Sequence, residues 1–243
     1  MRTVAIIQAR MASSRLPGKI LKTLGNMSVL SNVATRIGRS QLIDEVVVAT
    51  TVDTSDDVVV QQCLADRLKV TRGSSADVLD RFYQTALQVR AEAIVRITAD
   101  CPMIDASVSD RTIRAFMDER PDYASNTLVR TYPRGLDTEV FPFQALERAW
   151  REASEPYERT HVTPFFYQHP ELFSLVSVTG ARDYSRYRWT LDTAEDFAFL
   201  QEVYLRFEDR NDFSWHEVID LLEREPGLML INADSRQKEL HEG

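Results

Sequence analysis

The sequence has little cysteine and little glycine, and it lacks any apolar run long enough to span a membrane. Its two cysteines, Cys63 and Cys101, are too few for a disulfide framework and do not have the paired spacing of a metal site. This cysteine usage favours a reducing compartment, so we expect a cytoplasmic protein with no membrane partner. The eight glycines form neither G-x-G-x-x-G nor a P-loop, which excludes two common phosphate-binding motifs.

An excess of positive charge is also missing. The 29 Lys and Arg residues are outnumbered by 37 Asp and Glu residues, and the net charge is −8. Because an acidic surface repels a polyanion, we expect no nucleic-acid partner. Any site for an anion must therefore be built from locally concentrated cations.

The hydrophobic pattern predicts an α/β fold. Short apolar runs at residues 4–7, 45–50, 68–71 and 93–100 alternate with stretches of helical spacing. This alternation is typical of a Rossmann-like, mostly parallel sheet flanked by helices. The alternation weakens after residue 121, so we expect one domain over residues 1–243 with an inserted lobe at about 122–180.

A cationic loop follows the first predicted strand. The loop carries three cations and two hydroxyls, and its polar residues are Gln8, Arg10, Ser13, Ser14, Arg15 and Lys19. Ligands of α/β proteins bind beyond the carboxyl ends of the strands, and guanidinium and ammonium groups suit a polyphosphate. The Pro17-Gly18 turn is expected to aim Lys19 back at the loop. The alternative is an ordinary solvated basic loop.

The third predicted strand ends in Arg72-Gly73-Ser74, which offers backbone amides and hydroxyls to a planar ligand. The competing interpretation is that Ser74 or Ser75 caps the next helix. On that helix the alternative for Asp80 and Arg81 is a surface ion pair.

Two carboxylates follow later predicted strands. Asp100 ends the fourth strand, where it is suited either to hold Mg²⁺ against phosphate oxygens or to form a turn before Pro102. Asp105 is expected to cap the helix that follows. Asp192 ends a later strand, and it lies at the start of a capping-box pattern. In that pattern Asp192 or Thr193 is followed three residues later by Glu195 or Asp196.

Three separated segments carry a resemblance to a known family. They are Gln8-Ala-Arg-Met-Ala-Ser-Ser-Arg-Leu-Pro-Gly-Lys19, Arg72-Gly-Ser-Ser-Ala-Asp-Val-Leu-Asp-Arg81 and Arg188-Trp-Thr-Leu-Asp-Thr-Ala-Glu-Asp196. Together with Thr98-Ala-Asp-Cys-Pro102, they resemble the cytidylyltransferases that include spore-coat polysaccharide biosynthesis proteins and are related to CMP-Kdo and CMP-sialic acid synthetases. One departure is Ala12, where that family usually has Gly; a positive φ there would cost Ala about 1 kcal/mol.

The resemblance implies a nucleotidyltransferase fold, similar to that of A-type glycosyltransferases, and transfer of CMP from CTP to an acidic or amino sugar with release of pyrophosphate. It implies surface polysaccharide biosynthesis as the setting, a homodimer, and Mg²⁺ held by Asp100 and Asp192. Arg10, Arg15 and Lys19 would be catalytic. The implied nucleotide-binding residues are Gln8, Ala9, Arg10, Ser14, Arg15, Lys19, Arg72, Gly73 and Ser74.

The inserted lobe resembles the acceptor and dimer region of related synthetases. The implied acceptor contacts are Asn126, Arg134, Asp137, Glu139, Arg159 and His161. A solvated hairpin and a structural histidine are the alternatives. Three other functions also stay open: a nucleotide-sugar-dependent glycosyltransferase, a nucleotidyltransferase for a non-sugar acceptor, and a nucleotide-binding regulator without turnover.

Overall fold

Nine strands form one large sheet and one small hairpin in the computed structural model, which describes residues 1–237. In chain order they are β1 Thr3–Gln8, β2 Thr23–Leu24, β3 Met27–Ser28, β4 Glu45–Thr51, β5 Lys69–Gly73, β6 Ala93–Thr98, β7 Tyr123–Ser125, β8 Glu139–Pro142 and β9 Leu175–Ser177. The large sheet has the order β5-β4-β1-β6-β8-β7-β9, and β2 pairs with β3. Among the strands of the large sheet in residues 1–237, only β8 runs antiparallel to its neighbours, so the predicted mostly parallel sheet is confirmed.

Helices cover both faces of this sheet. They are α1 Val29–Ile37, α2 Asp57–Ala65, α3 Val78–Val89, α4 Ala106–Glu119, α5 Phe143–Glu152, α6 Pro156–His161, α7 Pro164–Gln168, α8 Ala194–Arg206 and α9 Trp215–Arg224. On one face pack α3, α5 and the aromatic residues of α7, whereas α1, α2 and α4 pack on the other. The expected helix-flanked α/β fold is therefore present. Within residues 1–237, no helix is both long and apolar enough to cross a membrane.

Strand β1 shows why the sequence folds this way. Val4 and Ile6 face the core beneath α3, and Ala5 and Ile7 face the core beneath α1. All four side chains have no solvent exposure. A strand with apolar residues on both faces is stable only between two helical layers, so β1 lies in the sheet interior.

Residues 122–180 contribute β7, β8 and β9 to the main sheet, with α5 and α7 packed on it and α6 packed against α3. Each of these strands is short, and β9 has three residues. The prediction that this region binds the acceptor and forms a dimer surface stays a prediction.

Two of the three predicted helix caps are present in the structure. Asp105 caps α4 by accepting a hydrogen bond from the Ser107 amide at 2.9 Å, and Thr193 forms a capping box with Asp196 at α8. The cap of α3 is Asp77, which accepts from the Asp80 amide at 2.8 Å. The interpretation of Ser74 or Ser75 as that cap was wrong, because the helix begins at Val78, two residues later than a Ser75 cap allows.

Candidate active site

Two parallel strands bring their following loops to one edge of the sheet. In the register of β1 with β6, Gln8 lies opposite Thr98. The loop after β1 and the turn after β6 therefore lie side by side, as expected for a ligand site in an α/β fold. They enclose a cavity of about 370 Å³. Its lining is Gln8, Arg10, Ala12, Ser13, Ser14, Arg15, Lys19, Ile20, Thr98, Ala99, Asp100 and Asp192.

The loop after β1 turns back at Gly18. Gly18 has φ 70°, and its amide donates to the Met11 carbonyl at 3.0 Å. The expected turn at Pro17-Gly18 is thus present, and it returns Lys19 to the cavity. Ala12 is not among the residues of positive φ in the described part of the chain, so the loop accepts Ala without backbone strain there.

Lys19 joins the two predicted metal carboxylates. Its Nζ lies 2.7 Å from Asp100 Oδ2 and 2.8 Å from Asp192 Oδ1, and it donates to the Leu191 carbonyl at 2.6 Å. The side chain is only 11% exposed. Burial alone lowers the pKa of Lys19, but the charges of Asp100 and Asp192 outweigh it and the pKa is raised. Three segments far apart in sequence therefore meet at one ammonium group.

Asp192 is held by two further cations. Arg15 Nη2 lies 3.1 Å from Asp192 Oδ2, and Arg188 Nη2 lies 2.8 Å from the same oxygen. Burial opposes ionisation of Asp192, but Lys19, Arg15 and Arg188 lower its pKa overall. Arg188 also binds Asp196 at 3.0 Å and so connects the capping box to the cavity. Arg188 was not predicted as a site residue, because residues 188–192 are not helical and a spacing of four there does not by itself bring two side chains together.

The carboxylate pair fits a divalent cation such as Mg²⁺. An oxygen of Asp100 and an oxygen of Asp192 converge on the same cation, the Lys19 ammonium. Residues 1–237 contain no cluster of three or more His, Cys, Asp or Glu side chains arranged to hold a metal. Mg²⁺ is commonly bound by only one or two carboxylates, with phosphate and water completing its shell. Asp100 and Asp192 are therefore the residues that would hold it.

The segment after β5 lies outside this cavity. Arg72 donates to the Thr51 and Asp53 carbonyls at 2.8 Å each, and it binds Asp57 at 2.6 Å. Ser74 Oγ accepts from the Asp77 amide at 3.0 Å. Nucleotide contact by Arg72, Gly73 and Ser74 stays a prediction, as does the contact of Ala9, which is buried and does not line the cavity.

Arg81 is buried beneath this segment. It has no solvent exposure, and its Nη1 donates to the Ser74 carbonyl at 2.6 Å, whereas Nε and Nη2 have no partner within residues 1–237. Burial, followed by the charge of Arg10, lowers its pKa to about 10. Asp80 instead accepts from Trp150 Nε1 at 2.9 Å, so the alternative of a surface ion pair between Asp80 and Arg81 was wrong. A Cβ on Gly73 would lie 2.9 Å from Arg81 Cγ, so Gly73 makes room for Arg81.

A second cavity of about 430 Å³ adjoins the first and shares Thr98 with it. Its lining is Arg96, Thr98, Thr127, Leu128, Arg130, Asp137, Glu139, His161, Thr163 and Tyr167. Three predicted acceptor residues, Asp137, Glu139 and His161, are thus brought together. Arg96, Arg130 and Tyr167 were missed, because nothing in their local sequence marks them as site residues.

The carboxylates of the second cavity are already neutralised. Arg130 binds Asp137 through two hydrogen bonds of 2.6 and 2.8 Å. Glu139 is bound by Arg96 and by the Tyr123 hydroxyl. Burial and the charge of Glu139 raise the pKa of the neighbouring Tyr167 to about 12. Asp137 and Glu139 therefore present hydrogen-bonding edges rather than unpaired negative charge.

The other three predicted acceptor residues do not line the second cavity. Asn126 is 1% exposed, and its side chain bonds the Leu136 carbonyl at 2.7 Å and the Thr138 amide at 2.9 Å. It shapes the turn that carries Asp137. Arg159 binds Asp77 at 3.0 Å and the Trp150 carbonyl at 2.6 Å, which ties α6 to the start of α3.

Arg134 lies between the two groups of charges. Its backbone amide donates to the Tyr187 carbonyl at 3.0 Å, and its backbone forms a bridge to Arg188. Within residues 1–237 its guanidinium makes no hydrogen bond or ion pair. Burial, and then the charge of Arg130, lowers its pKa. The half-buried Arg134 thus makes no ion pair within residues 1–237, and it lines neither cavity.

Known proteins share this architecture. The fold is similar to that of a CMP:2-keto-3-deoxy-manno-octonic acid synthetase determined with CTP bound, at a TM-score of 0.65 and 17% identity, over 85% of this chain and 100% of that chain. A cytidylyltransferase structure from Leptospira borgpetersenii is nearer, at a TM-score of 0.91 and 32% identity, over 98% of this chain and 99% of that chain.

The amino-acid sequence leads to the same group. The chain is 35% identical over 228 residues to the spore coat polysaccharide biosynthesis protein SpsF of Bacillus subtilis, covering 91% of this chain and 94% of that protein. The sequence pattern of the cytidylyltransferases matches residues 4–221, which include all three segments that carry the resemblance. The chain therefore belongs to the cytidylyltransferase family and is a nucleotidyltransferase.

Proposed function

We propose that this enzyme transfers CMP from CTP to the hydroxyl of an acidic sugar, releases pyrophosphate, and supplies surface polysaccharide biosynthesis. The observation that carries the proposal is the pair of adjoining cavities that meet at Thr98. One is lined by cations and a carboxylate pair, and the other by hydrogen-bonding side chains. Such a division suits a reaction between a polyphosphate and a polyhydroxylated acceptor.

The first cavity would bind the triphosphate. Arg10 and Arg15 provide guanidinium donors for phosphate oxygens, and Ser13 and Ser14 provide hydroxyls. When bound at Asp100 and Asp192, Mg²⁺ would neutralise charge on the phosphate oxygens. Arg10 and Arg15 would also stabilise the charge that spreads onto those oxygens as the bond to the pyrophosphate leaving group breaks.

The second cavity would place the acceptor hydroxyl against the α-phosphorus. A new bond forms between the hydroxyl oxygen and phosphorus, the bond to the leaving pyrophosphate breaks, and the hydroxyl proton is released to solvent. Thr127, His161 and the paired carboxylates line the region where sugar hydroxyls would lie. Their fixed partners keep these side chains in place, which reduces the entropy lost on binding.

The charges favour an acidic acceptor over an amino sugar. A cationic amine would find Asp137 and Glu139 already bound by Arg130 and Arg96. A carboxylate would find Arg134 without a competing ion-pair partner in the described chain. Arg134 does not line the second cavity, but it lies close enough to Arg130 and Asp137 of that cavity for their charges to act on it, so we propose it as the contact for the acceptor carboxylate.

A pyrophosphate-release assay tests the proposal. The purified enzyme is incubated with CTP and Mg²⁺ alone, with acidic sugars, with amino sugars and with phosphonates. Release that requires an acidic sugar supports the proposal, whereas release with only a phosphonate contradicts the acceptor class. Transfer of a sugar from a nucleotide sugar without pyrophosphate release would instead identify a glycosyltransferase.

Nucleotide preference is tested separately by thermal unfolding with CTP, UTP, ATP and GTP, each with and without Mg²⁺. A ligand at about 100 times its dissociation constant adds roughly 2.7 kcal/mol, which raises the Tm of a chain of this length by about 5–11 °C. We expect that increase with CTP and Mg²⁺, and an equal increase with another nucleotide would contradict the cytosine preference.

The homodimer is also a proposal, and light scattering at several protein concentrations measures it.

A further inference from the structure

The ammonium of Lys19 has every hydrogen-bond donor in use. A lysine ammonium offers three donors, and Lys19 Nζ has three acceptors: Asp100 Oδ2, Asp192 Oδ1 and the Leu191 carbonyl. All three distances lie between 2.6 and 2.8 Å. In this structure Lys19 is therefore committed to the carboxylate pair rather than free to bind a phosphate.

The position of this ammonium conflicts with a divalent cation. The two carboxylate oxygens that bind Lys19 are the oxygens that converge from Asp100 and Asp192. Mg²⁺ needs oxygen ligands at about 2.0–2.1 Å, which would place it almost in contact with the ammonium. Two positive charges at that separation, in a site where Lys19 is 11% exposed, repel each other strongly.

A triphosphate bound in the same cavity would give the Lys19 ammonium alternative hydrogen-bond acceptors. Lys19 shares the cavity lining with Arg10, Arg15, Ser13 and Ser14, where a triphosphate would lie. Asp192 keeps Arg15 and Arg188 as partners when Lys19 leaves, so its carboxylate is not left unpaired. Phosphate oxygens can replace the acceptors that Lys19 gives up.

We propose that Lys19 is a tethered cation that occupies the Asp100–Asp192 pair and closes it to divalent ions until a polyphosphate draws the ammonium away. The inference rests on the proposed function, because it assigns Lys19 two alternative partners within that site. It makes metal binding depend on nucleotide, and the dependence is reciprocal in free energy. Lys19 is then a positioning residue for the metal as well as a phosphate ligand.

Binding of Mn²⁺ without nucleotide tests this proposal. Mn²⁺ takes the same kind of oxygen ligands as Mg²⁺, and the electron paramagnetic resonance signal of the free ion measures how much is bound. We expect Lys19→Gln to bind Mn²⁺ at least about tenfold more tightly than the wild-type chain, because the competing charge is gone. The Gln amide still donates to the Leu191 carbonyl or a carboxylate, which helps the variant to fold.

Matched variants separate occupancy from a general loss of charge. Lys22 is three residues away and contacts the Phe197 ring, so Lys22→Gln should bind Mn²⁺ as the wild-type chain does. Arg15 touches Asp192 without lying between the two carboxylates, so Arg15→Gln should have a smaller effect than Lys19→Gln. Lys19→Met is the second test variant, and adding Asp192→Asn to either Lys19 variant should abolish the tighter binding.

The proposal is overturned if both Lys19 variants are folded by circular dichroism and bind Mn²⁺ no more tightly than the wild-type chain. Equal tightening by Arg15→Gln would also overturn it, because the effect would then be one of net charge. The titration uses no CTP and no acceptor. Failure here therefore leaves the CTP reaction standing, and failure of the pyrophosphate assay leaves the Mn²⁺ result standing.

Discussion

The two adjoining cavities handle their charges in opposite ways. In the first cavity, Lys19 is shared between Asp100 and Asp192, and Asp192 is shared among three cations. In the second, each carboxylate is bound by its own arginine, Arg130 to Asp137 and Arg96 to Glu139. A charge that has several partners can exchange one of them without being left unpaired. We call an ion pair in which each charge has one charged partner a closed pair; separating it leaves a buried charge unpaired and costs free energy. The first cavity is suited to exchange of ions, and the second to a fixed shape.

The largest expected effect comes from removing Asp192, the carboxylate that Lys19, Arg15 and Arg188 share. Asp192→Asn should lower kcat/KM for the proposed reaction by roughly 10³-fold, because it would remove the proposed Mg²⁺ ligand and leave Lys19, Arg15 and Arg188 without their shared carboxylate. The fold should persist. Steady-state pyrophosphate release with circular dichroism measures both, and Asp183→Asn, in an exposed turn, is the control. Activity near the wild-type level would remove Asp192 from the site.

Opening a closed pair should affect stability first. Glu139→Gln leaves the Arg96 guanidinium without its carboxylate and should lower the free energy of unfolding by about 2–4 kcal/mol. For a chain of this length, Tm should fall by roughly 5–15 °C in calorimetry. The control is Glu152→Gln, which breaks an exposed pair with Arg148 and should cost about 0.5 kcal/mol or less. An equal loss in both variants would contradict the closed-pair description.

Arg134 differs from the arginines of the second cavity, because its guanidinium makes no hydrogen bond or ion pair within residues 1–237. Arg134→Gln should raise KM for an acidic acceptor by about 10- to 100-fold, equivalent to roughly 1.4–2.8 kcal/mol. Tm and KM for CTP should change little. Kinetics with the acceptor found in the panel measures this, and Arg182→Gln, an exposed arginine, is the control. An unchanged acceptor KM would reject Arg134 as the carboxylate contact.

The smallest expected effect concerns the backbone of the first cavity rather than its charges. Ala12 does not have a positive φ, so a glycine at this position would relieve no backbone strain. Because glycine raises the conformational entropy of the unfolded chain, Ala12→Gly should lower the free energy of unfolding by about 0.4–1 kcal/mol. Urea unfolding measures the difference, and CTP-dependent turnover should stay near the wild-type level. A gain in turnover would show that the loop needs glycine at this position after all.

Much of the fold was predictable because its signals are local. The apolar run in β1, the cap at Asp105 and the Thr193–Asp196 capping box depend on residues within a few positions of one another. The site was predictable in part for the same reason, since ligand loops follow the ends of parallel strands. Arg81 was interpreted wrongly, because its place on a helix says nothing about the Gly73 backbone packed against it.

By itself, the sequence determined the α/β class, the order of the strands along the chain and the residue types that follow β1 and β6. Only the tertiary structure decided which charges meet. Lys19 and Asp192 are 173 positions apart, and Arg96 and Glu139 are 43 apart. Hydrophobic periodicity and capping act over one or two turns, whereas ion pairs between strands depend on sheet order and register. The contrast between an exchangeable and a closed set of charges is therefore a property of the folded sheet.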